Sequence, residues 1–280
     1  NDDMIDELIK WENVSKLGFK EFSNFGKKMV AKIVFNTDHI NDDFFKIFSE
    51  ANTTEVFHNS DFKINPVIYD NYLNVLNNYI DNPEPNSLIE LCLSVSNDKE
   101  EIRHQIPHFI FPIAGLFITT IPRLLLLLSN HKNIFKKVKE EVYSVNDSYV
   151  NTYESIYNST YLRKCILETL RLNNPVITTF RTLTEDYTFD NKYSFKKGTQ
   201  FLILNNPVLR EKEYFEDPNK FIPSRWSPEM EKSNYAISFN QGPQRCPGKE
   251  LAIYLAQSFI HNLIKIKQIG VNQCIKSKKI

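Results

Sequence analysis

Residues 239–248 read Phe239-Asn240-Gln241-Gly242-Pro243-Gln244-Arg245-Cys246-Pro247-Gly248, a rigid loop with one thiol near its tip. Two of the chain's seven glycines, Gly242 and Gly248, fall here, where backbone must bend sharply or approach something closely. Pro243 and Pro247 fix φ and withdraw amide donors. Beyond the loop Leu251, Leu255, Phe259 and Leu263 recur every four residues, which predicts a buried helix over about 249–266. Cys246 therefore precedes a helix N-terminus, where the dipole favours negative charge and a thiolate is suited to act as an axial metal ligand.

Two other readings of this thiol stay open. A lone cysteine is often an inert, buried residue of a structural loop. A nucleophilic cysteine needs a base, and no His lies in the loop or at the start of the helix. A phosphate-binding loop is excluded: Gly242 to Gly248 is one residue too long for G-x-x-x-x-G-K, and Glu250 follows Lys249 where Ser or Thr is required. The four cysteines, Cys92, Cys165, Cys246 and Cys274, show no paired spacing, which argues against a disulfide framework or zinc site and for an intracellular reducing compartment. Thirty-four basic residues balance 34 acidic ones across 280, so nothing points to a nucleic-acid partner.

The N-terminal half reads helical. Phe22, Phe25, Met29 and Ile33 carry the spacing of a buried helix face within 19–35, and 81–87 is a Pro/Asn-rich loop. The apolar run 106–128 contains Pro107, Pro112, Pro122 and Arg123; it reads either as a long core helix over about 104–129 or as a stretch just long enough for a bilayer. Leu162, Ile166 and Leu170 predict an amphipathic helix over about 160–172, stopped by Pro175, with Glu168 and Arg171 on one face. Short β-like runs follow at Tyr187-Thr188-Phe189 and Gln200-Phe201-Leu202-Ile203-Leu204. The fold class is mainly α with a small β-sheet. The acidic start, with Asp2, Asp3, Asp6 and Glu7, is no signal peptide.

Taken together, these motifs resemble the cytochrome P-450 family. Phe239, Gly242, Cys246 and Gly248 match its haem-binding pattern F-x-x-G-x-R-x-C-x-G in register; Gln244 holds the arginine position and Arg245 follows it. Glu168-Thr169-Leu170-Arg171 matches E-x-x-R, and Pro223-Ser224-Arg225-Trp226 is similar to P-x-R-F. The resemblance implies that Glu168, Arg171 and Arg225 form a structural cluster beneath the haem. It also implies that Cys246 ligates iron of haem b, with Arg181 and Arg245 near the propionates. Val176, Ile177, Thr178 and Thr179 would line the substrate pocket, strand packing being their alternative role. Four of the eight arginines, against 26 lysines, fall at these positions: Arg171, Arg181, Arg225 and Arg245.

The family's central helix usually carries A/G-G-x-D/E-T-T. Here Ala114 and Gly115 match its start, Phe117 and Ile118 take the acid and alcohol places, and Thr119 and Thr120 remain as catalytic candidates or as packing residues. The resemblance implies a haem-thiolate monooxygenase inserting one oxygen atom from dioxygen into a small apolar organic substrate, served by a reductase or ferredoxin-type donor. Without the acid, a peroxide-rearranging or dehydrating enzyme and a catalytically silent haem-binding relative stay open. Lys249, Lys265 and Lys267 form either a donor-docking surface or the solvated face of a helix. The likeness runs from about Phe19 to Leu263, one P-450-like domain over 1–280. Part of the family's N-terminal sheet region and its last C-terminal hairpin are expected to be absent. So is the helix whose Trp clasps the propionates, because Trp11 lies too close to the next segment. The chain then reads as a fragment, a truncated product or a reduced member, membrane-associated in a full-length form.

Overall fold

The computed structural model describes residues 2–11, 17–51, 65–144 and 153–267, the side chains of 48–51 and Lys267 excepted; Cys274 lies outside the described residues. The chain forms two compact units, Asn1–Thr119 and Thr120–Ile280.

In the first unit the described helices are α1 (Asp2–Ile9), α2 (Phe19–Val30), α3 (Asp42–Ala51), α4 (Pro66–Asp81), α5 (Leu88–Val95) and α6 (Lys99–Gly115). Aromatic side chains fill its core. Trp11 meets Phe22 edge-on at 5.4 Å between centroids, and Phe35 lies 4.8 Å from Tyr79. A π-helical turn, Ala31–Phe35, prolongs α2 and ends at Asn36 in the left-handed region, φ 50°. This wider turn moves the buried face. Val34 and Phe35 are fully buried, while Ile33, expected inside from a 3.6-residue period, is only half-buried. Where α2 crosses α6, a Cβ on Gly26 would stand 3.2 Å from the Ala114 carbonyl oxygen, so a bare backbone is what allows the two helices this spacing.

A second π-helical turn, Leu116–Thr120, follows α6, and α7 (Ile121–Asn130) continues the helical run. From Lys99 to Asn130 this run is long and apolar enough to cross a membrane by length and composition. Its buried residues nevertheless form a stripe at three- and four-residue steps: Ile106, Ile110, Ile113 and Phe117, then Ile121, Leu124 and Leu128. That is the spacing of a helix packed against protein on one face.

The second unit adds α8 (Lys132–Ser144), α9 (Tyr153–Tyr157) and α10 (Thr160–Leu172). Four strands follow, β1 (Thr178–Thr182), β2 (Tyr187–Phe189), β3 (Tyr193–Phe195) and β4 (Gln200–Leu204), then α11 (Asn205–Val208), α12 (Pro228–Lys232) and α13 (Lys249–Lys267). The small β region is two antiparallel pairs, β1 with β4 and β2 with β3, with Phe180 opposite Leu202 and Thr188 opposite Ser194.

Helix α10 is the hub of this unit, buried at every residue from Cys165 to Leu172. Its ends are finished by side chains from elsewhere. Glu141 on α8 accepts the Tyr161 and Leu162 amides, both at 2.8 Å, supplying the negative charge that a helix N-terminus attracts. Arg123 donates to the Asn173 carbonyl and Arg210 to that of Leu172, placing cations at the opposite end. Midway, Glu168 and Arg171, both 0% exposed, form a two-pronged ion pair at 2.8 Å on each prong.

Removing one member of that pair strands the other in the core. Glu168→Gln, which keeps the shape and deletes the charge, is expected to cost about 3–5 kcal/mol of unfolding free energy in a urea titration. A loss under about 1 kcal/mol would mean that water reaches Arg171 after all.

His261 on α13 is also 0% exposed, and among the described residues neither ring nitrogen has a hydrogen-bond partner. Burial, helped by Lys265, pulls it down to about 4. The unfolded imidazole titrates near about 6.5, so between these values the unfolded state binds more protons and stability falls as pH drops. The urea midpoint is expected to fall between about pH 7 and about pH 5, and His261→Leu to flatten that fall. An unchanged slope in the variant would place the titration elsewhere.

Candidate functional site

The segment that leads to Cys246 hangs from α10. Arg171 spends all five guanidinium N–H groups: Nε and Nη2 on Glu168, Nη1 on the carbonyls of Leu209 (2.8 Å) and Pro218 (2.7 Å), and Nη2 also on Lys220 O (3.2 Å). Its Cζ lies over the Phe215 ring, 5.0 Å from the centroid. Glu168 in turn accepts the Ile222 amide (3.0 Å), Arg225 Nε (3.1 Å) and the Trp226 indole N–H (2.9 Å). Arg225 sits on a short 3-10 turn, Pro223–Arg225, begun by a proline whose fixed φ suits the first helical position. The structure thus brings Glu168, Arg171 and Arg225 onto one carboxylate. Trp226 joins them through a hydrogen bond that a phenylalanine at this place would lack.

A second ionic cluster lies one turn and a half earlier on α10, and sequence spacing gives no sign of it. Arg163 grips Glu231 on α12 (Nε to Oε1 3.0 Å, Nη2 to Oε2 2.8 Å) and Glu250 on α13 (2.8 and 3.0 Å). Lys249 completes it, donating to Glu231 at 3.2 Å. Burial raises the Glu231 carboxyl, but Arg163 and Lys249 outweigh it and hold the group below its ordinary value; Arg163 does the same for Glu250. Lys249 is 8% exposed and engaged, which removes it from any solvated or docking face.

Between these anchors the cysteine loop is built from two 3-10 turns, Ile237–Phe239 and Gly242–Gln244. Gly242 adopts φ 69°, the left-handed region that favours glycine, and no atom lies within 4 Å of where its Cβ would be. The Cys246 amide donates to Phe239 O at 2.8 Å and that of Arg245 to Gly242 O at 3.0 Å, folding the loop back on itself. Gln241 closes it further by donating to Ser233 O. Cys246 is half-buried, and a Cβ on Gly248 would sit 3.9 Å from its Sγ, so the sulfur is flanked by bare backbone. Gln244 and Arg245 are exposed. Among the described residues the Arg245 guanidinium has no ion pair.

Strand β1 touches this loop. Thr179 Oγ1 donates to Asn240 Oδ1 at 3.3 Å and accepts from Asn205 Nδ2, which also donates to the Val176 carbonyl. Val176 and Ile177 expose about half of their surface, Thr178 and Thr179 less, and Arg181 donates to Phe180 O. A sulfur in a glycine-flanked loop, two guanidiniums without carboxylate partners among the described residues and the bare apolar side chains of Val176 and Ile177 just before β1 are a donor set that fits a haem: thiolate for iron, cations for propionates, apolar contact for a macrocycle.

In the first unit Ala114 and Gly115 end α6, and a Cβ on Gly115 would meet nothing within 4 Å. Thr119 donates to Gly115 O at 2.7 Å; Phe117, fully buried, packs on Phe25 at 5.0 Å. Thr120 is buried as well. A cleft of about 400 Å³ beside His39, Ile40, Asn74 and Tyr79 contains none of these groups.

Comparison with known proteins bears on this arrangement. The family model "Cytochrome P450" matches residues 10–266. Beta-amyrin 11-oxidase of Glycyrrhiza uralensis is 27% identical over 213 residues, 72% of this chain and 43% of the relative. Cytochrome P450 4V2 of Homo sapiens is 28% identical over 67% of this chain and 38% of its own length. Probable cytochrome P450 6a20 of Drosophila melanogaster is 31% identical, covering 65% and 40%. The chain therefore spans about two fifths of the curated relatives it matches. The crystal structure of the cytochrome P450DA heme domain superposes with a TM-score of 0.75 at 17% identity, over 93% of this chain and 65% of that one, and shows a common fold. With a family match over most of its length and a P-450 fold around a cysteine loop, the chain belongs to the cytochrome P450 family.

Proposed function

We propose that this chain carries the proximal half-site of a haem-thiolate monooxygenase, with haem b held through Cys246. The observation that carries the reading is the half-buried sulfur on a loop folded by its own amide bonds and anchored through α10. Family membership implies haem with cysteine ligation; the assignment to Cys246 rests on that loop. Bound haem would supply the redox iron, and thiolate donation favours cleavage of an O–O bond.

The remaining roles follow from what each side chain can do. Arg245 and Arg181 hold guanidiniums suited to fork onto propionates, Gln244 offers an amide beside them, and Phe239, Gly242 and Gly248 shape the loop. Val176, Ile177, Thr178 and Thr179 present an apolar surface with hydroxyls to a small organic substrate. Thr119 holds a hydroxyl proton at the Gly115 carbonyl and is the better candidate for handling a proton than the buried Thr120. We read the chain as part of one P-450-like domain, supplied with electrons by a reductase or ferredoxin-type donor. Leu116–Thr120 carries no carboxylate, which keeps a peroxide-rearranging enzyme as the second reading.

Haem added to the purified chain, then reduced and exposed to carbon monoxide, is expected to show the red-shifted Soret band of thiolate ligation. Cys246→Ser should abolish the band and Cys92→Ser should leave it. Failure of the parent to take up haem, or survival of the band in Cys246→Ser, would overturn the assignment. Turnover supported by peroxide but not by reductase would move the chain to the rearranging class.

A further inference from the structure

We propose that Arg163 is a positioning residue for the cysteine loop, holding both ends of the segment that carries Cys246 on a single guanidinium. Glu231 lies on α12, just before that segment, and Glu250 lies in the first turn of α13, just after it. Each carboxylate meets Arg163 through two N–H bonds of 2.8 to 3.0 Å. The loop is thereby closed at its base by a planar fork whose side chain is 17% exposed.

Charge and geometry both favour this role over that of a surface ion pair. Arg163 and Lys249 balance Glu231 and Glu250, so the cluster is neutral and each charge is paired. A bidentate fork dictates the orientation of its partners as well as their distance, which a single-point contact does not. Its base is firm, because α10 is a core helix whose start is capped by Glu141 and whose middle is locked by Glu168 and Arg171. The segment between the clamped residues has little else. It contains no long helix or strand, its residues other than Lys249 are half-buried or exposed, and its hydrogen bonds are short-range apart from the Thr179–Asn240 contact, with Tyr235 stacked on Tyr214 at 3.7 Å between centroids. Without the clamp only the single Lys249–Glu231 contact would still join its ends, and a flexible loop of this length loses closure entropy each time it re-forms.

Conservative replacement should reveal the geometry. Arg163→Lys keeps the charge but offers one ammonium in place of two forks, so it should hold one carboxylate and slacken the other. Arg163→Ala leaves only Lys249 on Glu231.

The first measurement needs no haem. Hydrogen exchange at the Cys246 amide, which is bonded to Phe239 O, is expected to quicken about tenfold in Arg163→Ala, with Arg163→Lys between it and the parent. The Ile222 amide, held by Glu168, should change less than about twofold and reports on the rest of the unit. Should Arg163→Ala speed both amides through wider unfolding, Glu231→Gln, which leaves the Glu250 contact in place, supplies the milder version with the same expected order. Unchanged exchange at Cys246 in Arg163→Ala, or in Glu231→Gln where that variant is used, overturns the proposal.

A second measurement rests on the haem reading. In the haem-loaded, reduced and carbon-monoxide-treated chain, Arg163→Ala is expected to shift part of the Soret intensity from the thiolate position to that of a protonated thiol, with Arg163→Lys restoring most of it. A full thiolate band in Arg163→Ala counts against positioning. Absence of the band in the parent defeats the haem reading alone, since the exchange result judges the clamp by itself.

Discussion

One buried carboxylate organises the second unit. Glu168 takes five hydrogen bonds, two from Arg171 and one each from Ile222, Arg225 and Trp226, and Arg171 has no N–H left over. Taking two charges out of water is costly, and the pair is tolerable because every donor and lone-pair direction finds a partner. The same requirement makes the arrangement specific. Carbonyls at Leu209, Pro218 and Lys220 must all turn toward one guanidinium, which fixes the course of an otherwise irregular chain.

The hub extends beyond this pair. Five of the eight arginines, Arg123, Arg163, Arg171, Arg210 and Arg225, make contacts to or from α10 and its immediate C-terminus. In a chain that uses lysine three times as often, this places planar, multiply donating cations where several fixed acceptors converge; Lys249 is the one lysine among the described residues that is buried beside them.

How much of this was legible in the sequence follows from how local each cause is. Gly242, Pro243 and Pro247 announce an irregular loop because their backbone limits act at their own positions. Glu168 and Arg171 are three apart on a helical pattern, so their shared face can be read without knowing the fold. Glu141, Arg163 and Arg210 carry no such sign, because their partners lie many residues away and only the packing of helices brings them near. Lys249 looks like one solvated lysine among several until α12 arrives beside it. The π-helical turn at Ala31–Phe35 was equally hidden, since an apolar stripe fits periods of 3.6 and 4.4 almost equally well over so few residues, and the difference shows only in Ile33 giving way to Val34 and Phe35.

The β1–β4 ladder has a practical consequence for anyone purifying the chain. Among the described residues these strands pair only with each other, and Phe180 (66% exposed) and Leu202 (53%) stand opposite one another on one side of the ribbon. Backbone donors along an open rim beside bare aromatic and aliphatic groups make a template for a further strand. Concentration-dependent clumping of correctly folded material would then be a property of the native ribbon, and a mild detergent or a shielding fusion would suit it better than refolding.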